Sequence, residues 1–515
     1  MKRIILFSFL LVCLTASAQI PEDAIRYSWL THNGTARNMA TGGVMGSLGG
    51  DLTATFVNPA GLGFFKTNEV VFTPGFLMNR NKFNYRDSLS LSNKNGINFG
   101  PSGVILALTD KYETHQSAAL AFAFNQTANF NNTYHFNAYN NYSSFSEQFA
   151  EELAYSHVPL NSILSTASPY PFTSSPAFYT YLVDTIRIND STFHFKAAPE
   201  YVLDSGKALL QDMTKRTRGG MYELAAAYAH NFNDKWYFGA GIGIPFIFYE
   251  SDVTFTERDS SAIHSKFTSF TFRDHFTTQG IGINARFGVI FRPKEYFRVG
   301  FAFQTPTFMT LRDKRSTSLE TVLGSASGVY KVSSDSFNIG QPDSYNYQQF
   351  APWKAVISTS YVFREVEDVK KQRGFISLDI EYVNHHGSKF KSDANEVTDQ
   401  EKQYFKALTS VVKDQYKGAF NFRLGGEVKF NTIMARLGAA YYGNPYKSTY
   451  PVKGSKMLLS GGLGYRNKGF FVDLTYVHQI TKDAEFPYRL QDRLNTYATR
   501  NITQGNVVAT IGIKF

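Results

Sequence analysis

His385 and His386 stand side by side, and charged residues of both signs recur nearby: Asp379 and Glu381, then Arg423, Glu427 and Lys429, then Arg436 and Asp473. Adjacent histidines can ligate a metal, and clustered carboxylates beside guanidinium groups can do acid–base work. The spacing argues for something else. Phe420, Phe422, Leu424, Val428 and Phe430 fall on one parity, and Asn421, Arg423, Glu427 and Lys429 on the other. In a strand that puts every charge on one face, so these residues are expected to form ion pairs on the inside of a wall. His385 and His386 open a loop and read as solvated surface. The chain has no Gly-x-Ser-x-Gly elbow, phosphate-binding loop or paired-histidine zinc helix. A non-enzymatic protein is expected, with no catalytic residues, metal or cofactor.

The elements that must position these charges are strands. Trp236, Phe238, Ala240, Ile242, Ile244, Phe246 and Phe248 alternate with smaller residues, as do Ala118, Leu120, Phe122 and Phe124, and Ile376, Leu378, Ile380 and Tyr382. A narrow lumen cannot hold so many aromatic rings, so the bulky face meets lipid. About fourteen such segments follow, starting near Glu69, Asn98, Gln116, Gly220, Trp236, Ser269, Tyr296, Pro352, Gly374, Ala419, Thr432, Lys456, Gly469 and Thr503. Tight connections (Asn233-Asp234, 292–295, Asn431, 466–468) alternate with long ones at 128–217, 312–347, 385–417 and 481–501. Short turns on one side and long loops on the other are the habit of outer-membrane barrels. The expected fold class is all-β: a 14-stranded antiparallel transmembrane β-barrel.

The ends and the composition agree. Lys2 and Arg3, an apolar run from Ile4 to Leu14 and Ala16-Ser17-Ala18 read as a signal peptide over 1–18, with the only cysteine, Cys13, inside it. No later stretch approaches the ~18 to 20 apolar residues of a spanning helix. With 47 Phe and 31 Tyr in 515 residues, the aromatic content suits a membrane interface. The net charge of +10, about +8 without the signal, is spread over the chain with no basic stripe, so nucleic acid is a poor partner. The final Val507, Ala509, Ile511, Ile513 and Phe515 form one lipid-facing row, resembling the terminal signal read by the barrel-assembly machinery. A Gram-negative cell outer membrane and a monomer are expected.

Eight glycines lie between Gly34 and Gly63, ahead of the first good strand. Residues 19–66 are too short and glycine-rich for a core of their own and are read as an N-terminal hatch plugging the lumen, with the barrel proper at 67–515. Asn58-Pro59 makes a rigid turn within it. In the long loops, Phe145, Phe149 and Leu153 fall at helical spacing, and Thr398 with Glu401 makes a capping box before Tyr404, Leu408 and Val412. These are either apolar docking surfaces for ligand capture or packing over the barrel mouth.

The order of signal peptide, glycine-rich segment, Gly50-Asp51-Leu52-Thr53-Ala54-Thr55-Phe56-Val57-Asn58-Pro59-Ala60-Gly61-Leu62 and fourteen strands resembles the FadL family of outer-membrane transporters. Its hatch motif matches Asn58, Pro59 and Ala60, followed by Gly61 and Leu62. The resemblance implies passive uptake of long-chain fatty acids or other hydrophobic molecules, hatch gating, and sideways exit into the membrane beside a kinked third strand. The third strand here, roughly Gln116 to Phe130, contains no Gly or Pro. Two alternatives stay open: a FadL-like secretion-system or cell-surface component that binds protein cargo, and a barrel-embedded lipid hydrolase.

Overall fold

The computed structural model describes residues 21–108, 116–156, 158–189, 192–261, 266–324, 328–339, 344–363, 373–394, 396–448 and 451–515. The proposed signal peptide, Cys13 and the first hatch residues Gln19 and Ile20 lie outside them. Fourteen strands make the wall. They are β1 (Glu69–Phe72 and Pro74–Tyr85), β2 (Ser88–Phe99 and Ser102–Leu108), β3 (Ser117–Asn129 and Asn132–Asn140), β4 (Leu209–Phe232) and β5 (Trp236–Asp259). Next come β6 (Phe267–Lys294), β7 (Phe297–Gln304 and Thr307–Leu323), β8 (Ser344–Ala351 and Lys354–Phe363) and β9 (Gly374–Val383 and Lys389–Ser392). The last five are β10 (Ala419–Phe430), β11 (Ile433–Tyr442), β12 (Lys456–Asn467), β13 (Phe470–Glu485) and β14 (Ala498–Lys514).

Each strand runs antiparallel to its neighbours, and β14 returns to β1 with Glu69 opposite Lys514 and Gly75 opposite Val508. The barrel is therefore closed, which is what lets its backbone sit in lipid without unpaired edges at the membrane level. No helix among the described residues is long and apolar enough to cross a membrane.

Alternation does what the sequence pattern demands. On β5, Trp236, Phe238, Ile242, Ile244 and Phe248 are exposed on the outer face, while Tyr237, Gly243, Ile247 and Tyr249 are buried. Two-residue turns at the short-connection end, such as Asn233-Asp234 with φ of 54° and 55°, have the left-handed backbone of tight hairpins.

The ladders also run farther than the apolar alternation. Beyond Phe248 the outward row of β5 becomes Glu250, Asp252, Thr254, Thr256 and Arg258, yet pairing to β4 continues to Asp259. The span 128–217, read as loop, accordingly contains paired strand at Asn132–Asn140 and Leu209–Thr217, and β2 starts at Ser88 after a tight Arg86-Asp87 turn. Where the outward row of β4 and β5 leaves lipid it turns polar, and the contrast between faces that marks a strand weakens.

Above the membrane the wall is capped. Phe83, Tyr85, Phe136, Phe255, Phe270, Phe272, Leu319 and Tyr488 point inward at this level and are sealed by the segment between β3 and β4, including the helix Glu147–Ser156.

Candidate functional site

The glycine-rich segment fills the lumen. Three short helical pieces, Ala36–Ala40, Leu52–Phe56 and Pro59–Phe64, begin at side-chain caps from Thr35, Asp51 and Asn58. Asp51 ties two of them together, accepting from Thr35 Oγ1 at 2.8 Å and from Thr53 N at 2.9 Å. Wall alanines leave the room: Ala119, Ala121 and Ala123 of β3 and Ala225, Ala227 and Ala229 of β4 pack on Leu52, Phe56, Leu62 and Phe65 of the plug.

Asn58 is fully buried. Its Oδ1 caps Ala60 N at 3.1 Å, and its Nδ2 donates to Gly46 O at 2.5 Å, with Phe301 O of β7 at 3.4 Å and Val289 O of β6 at 3.5 Å. Pro59 stands at the first helical position, where a missing N–H costs nothing. One side chain thus satisfies the turn and fastens it to the wall. Other anchors surround the plug: Asp379 accepts from Met45 N at 2.9 Å and Gly46 N at 3.0 Å, Arg298 Nη1 donates to Leu48 O at 2.7 Å, and Thr475 Oγ1 donates to Ala36 O at 2.6 Å.

Five of the charges singled out in the sequence line the lumen as ion pairs. Arg423 meets Glu381 at 2.6 Å, and Arg436 meets both Glu427 and Asp473 at 2.6 Å. Arg286 and Glu223, which alternation did not single out, form another pair at 2.6 Å. His385 does not lie in solvent: it is 3 % exposed, with Nδ1 3.2 Å from Ser28 Oγ, because the N-terminal segment folds down over the turn that carries it. His386 is exposed.

Phe145, Phe149 and Leu153 are at most 5 % exposed. Phe145 stacks on Phe255 at 4.3 Å, so these residues are packing over the mouth and present no free surface to a ligand. On the helix Asp399–Gln415, Thr398 caps Glu401 N at 3.2 Å as read, but the buried row is Phe405, Leu408 and Val412.

A cavity of about 540 Å³ lies above the plug. Trp29, Phe130, Tyr134, Tyr249 and Phe486 supply aromatic walls, with Arg26, Lys215, Lys456, Arg489 and Arg500 as cations. Lys456 Nζ donates to Trp29 O at 2.7 Å and sits 3.9 Å from its indole ring, while Lys215 pairs with Glu485 and Arg500 with Asp483, both at 2.7 Å. Sequence reading placed Trp29 in the hatch and gave it no role. It is one of three tryptophans in the chain, and that rarity was the available signal.

The cavity reaches a seam in the wall. β2 and β3 pair from Ser102↔Phe124 to Leu108↔Ala118. Farther out, among the described residues, Ser88–Phe99 pairs only with β1 and Asn132–Asn140 only with β4. β3 breaks at Phe130-Asn131, its register to β4 slipping between Gln126 and Ala128. The break has no Gly or Pro of its own. Asn129 Oδ1 accepts from Asn131 N at 3.0 Å, an Asx turn, and Phe130 N donates at 3.0 Å to Gly219 O on β4, where φ is +99°. Side chains bridge what the ladder leaves: Asn33 Nδ2 donates to Phe99 O and Gln126 O, both at 2.9 Å, Asn81 Nδ2 donates to Asn132 Oδ1 at 2.7 Å, and Ser92 Oγ donates to Thr133 O.

No family model and no curated protein matches the chain. Among solved structures, a Pseudomonas aeruginosa FadL homologue aligns with a TM-score of 0.52 and 13 % identity over 94 % of this chain and 99 % of that one. The P. putida toluene transporter TodX aligns with a TM-score of 0.52 and 12 % identity over the same shares, 94 % and 99 %. Identities this low speak for architecture alone. A closed fourteen-stranded transmembrane barrel with its N-terminal segment folded into the lumen is the FadL-like fold, and this chain has it.

Proposed function

We propose that the protein admits hydrophobic small molecules through the outer membrane, taking them into the cavity above the hatch and releasing them sideways between β2 and β3. The observation that carries this reading is the continuity of the cavity with the seam: Asn98, Gln126, Asn129, Phe130 and Asn132 belong to both. An apolar molecule has no reason to cross the polar lumen and enter periplasmic water, whereas the seam opens toward lipid. Aromatic walls beside Arg26, Lys215, Lys456 and Arg500 suit an apolar molecule with an anionic head, long-chain fatty acids among them. In this reading the hatch residues Asn58, Pro59, Ala60, Gly61 and Leu62 keep the axial path shut, and the barrel, inserted by the assembly machinery through its Phe515 terminus, works as a monomer.

The test is to lock the seam. The mature chain has no cysteine if cleavage follows residue 18, so Ser92→Cys with Thr133→Cys puts a single thiol pair in place of the Ser92–Thr133 bridge. Liposomes holding the protein are offered a labelled fatty acid. Bridging the thiols with a short bifunctional reagent is expected to stop uptake, and a reducible bridge should restore it on reduction. Uptake untouched by a fully formed bridge would remove the sideways route.

A further inference from the structure

Past the apolar rows, the charged outward face of the barrel differs from one quarter to another. On β4, β5 and β6, acids and bases alternate: Arg218 reaches Glu250 at 2.9 Å and Asp252 at 3.6 Å, and His275 meets Asp252 at 2.7 Å. On β13, β14 and β1 only cations appear. The outward row of β1 runs Phe76, Met78, Arg80, Lys82 and Asn84, and that of β13 includes Tyr476, Ile480 and Lys482.

Register brings three of these cations together. Asn501 of β14 pairs with Lys82 on one side and Lys482 on the other, and Thr503 pairs with Arg80 and Ile480. With strands ~4.8 Å apart and a rise of ~3.4 Å per residue, the three Cα atoms lie within roughly 12 Å of one another. Arg80, Lys82 and Lys482 are exposed, and among the described residues none of their side chains has a hydrogen bond, ion pair or ring contact within the chain. The outward neighbours are Asn93 and Leu91 on β2 and Asn501 and Thr503 on β14, so no acid shares the face.

Just below stand exposed apolar side chains: Phe76 at 44 %, Ile480 at 50 % and Val507 at 36 % exposure. Leu91, opposite Lys82, is 75 % exposed at the level of the charges. Uncompensated cations at the top of a lipid-facing row, with an apolar residue among them, call for an amphiphile of opposite charge. Long basic side chains at that depth can lay their stems on the apolar surface and hold their heads toward a phosphate.

We propose that Arg80, Lys82 and Lys482 bind the phosphate headgroup of an outer-leaflet lipid whose acyl chains lie along Phe76, Val507 and Ile480. A soluble anion could satisfy the charges, but only a lipid also covers the apolar row beneath them. The site is on the outside of the wall and does not depend on the transport reading.

The full-length protein, folded in detergent, is incubated with lipid A, which carries two phosphates, or with phosphatidylcholine, and retained lipid is read by native mass spectrometry. Lipid A should stay on the parent in preference to phosphatidylcholine. Retention should fall roughly tenfold or more in the Arg80→Gln/Lys82→Gln/Lys482→Gln variant. It should remain unchanged in Arg218→Gln, which alters the quarter where the charges are paired. On the unmodified protein, raising salt from about 0.05 M to about 0.5 M should release lipid A, because these charges are solvent-facing and screened; this arm decides even if the triple variant folds poorly. Equal retention by parent and folded triple variant, equal binding of phosphatidylcholine, or insensitivity to salt would each overturn the proposal. Displacement of lipid A by millimolar inorganic phosphate would also overturn it, leaving a simple anion site.

Discussion

Asn58 of the hatch and Gly288 of β6 meet so closely that a Cβ built on Gly288 would fall 1.8 Å from Asn58 Oδ1. Gly438 of β11 is placed likewise against the plug, with its Cβ position 2.1 Å from Gly42 N. The wall gives up side chains where the hatch backbone must touch it, so the plug is seated by contact from several strands and does not hang from its own chain end.

Replacing Asn58 and Pro59 together with Ala should therefore loosen the plug by ~1 to 3 kcal/mol while the lipid-facing rows keep the barrel assembled and heat-modifiable. In planar bilayers the double variant should leak ions more than the parent, and in liposomes its uptake of an apolar ligand should change. Gly288→Ala, which pushes on the same contact from the wall, should act in the same direction. Parental leakage and uptake in a folded double variant would reduce Asn58-Pro59 to a structural turn.

Arg436 is the strongest test of the lumen pairs, since its side chain is 0 % exposed between Glu427 and Asp473. Arg436→Met leaves Asp473 buried without this ion pair and removes from Glu427 its 2.6 Å partner, with Arg37 at 3.4 Å remaining. The expected cost is ~3 to 5 kcal/mol, read as a lower urea midpoint for unfolding from detergent micelles. Arg218→Gln breaks an exposed pair and should cost ~1 kcal/mol or less. Equal midpoints for the two variants would mean that water reaches the lumen pairs as freely as the rim.

Phe149 is 2 % exposed in the cap core. Phe149→Ala should cost the cap ~3 to 5 kcal/mol through a lost ring and the cavity it leaves. Because the spanning ladders do not include this residue, proteases should cut within 147–206 while the remaining barrel stays heat-modifiable. Resistance equal to the parent would mean the cap does not rest on this ring.

Two carboxyls of the cap should make its stability depend on pH. Burial lifts Glu257 to about 7 against the hydrogen bonds it accepts from Ser144, Phe145 N and Gln211, and it lifts Glu147 to about 7 against its own bond from Ser144 N. Both stand beyond the lipid-facing part of the wall. Between the ordinary value of 4.5 and about 7 the folded cap holds protons that the unfolded segment has released. Unfolding then releases protons, so stability is greatest below the unfolded value and falls as pH rises through this window. Limited proteolysis of the cap should be slower at pH 5 than at pH 8 once corrected for protease activity, and Glu257→Gln should flatten the difference. A cap that tightens with rising pH would contradict the sign.

Much of the architecture was legible before any coordinates. Trp236 to Phe248 and Phe420 to Phe430 alternate because lipid on one side and a polar lumen on the other act on every second residue, and that demand is local to a strand. The hatch was legible for a similar reason: a run of glycines ending in Asn58-Pro59 cannot be a strand or a stable helix and has to be held by its surroundings. The outer extensions of β4 and β7 were not legible, because there the outward row turns polar and the contrast between faces weakens while the ladder continues; on β2, Leu89 and Leu91 do alternate with Ser88, Ser90 and Ser92, and that pattern was there to mark the strand. His385 was misread as solvated because the residue that covers it, Ser28, is remote in the chain.

What the chain carries in its own order of residues is thus the wall: which segments are strands, which face meets lipid, where the turns are short, and that a plug precedes them. Tertiary structure alone decided the seam, since β3 is broken by an asparagine turn acting with Gly219 of another strand and is bridged by Asn33 from the hatch. It alone decided that Phe145, Phe149 and Leu153 are core and that Trp29, Tyr134 and Lys456 share a cavity. Alternation is imposed residue by residue by the solvent each face meets, whereas a seam, a cap and a cavity are made by segments tens to hundreds of residues apart, and no local pattern records such a meeting.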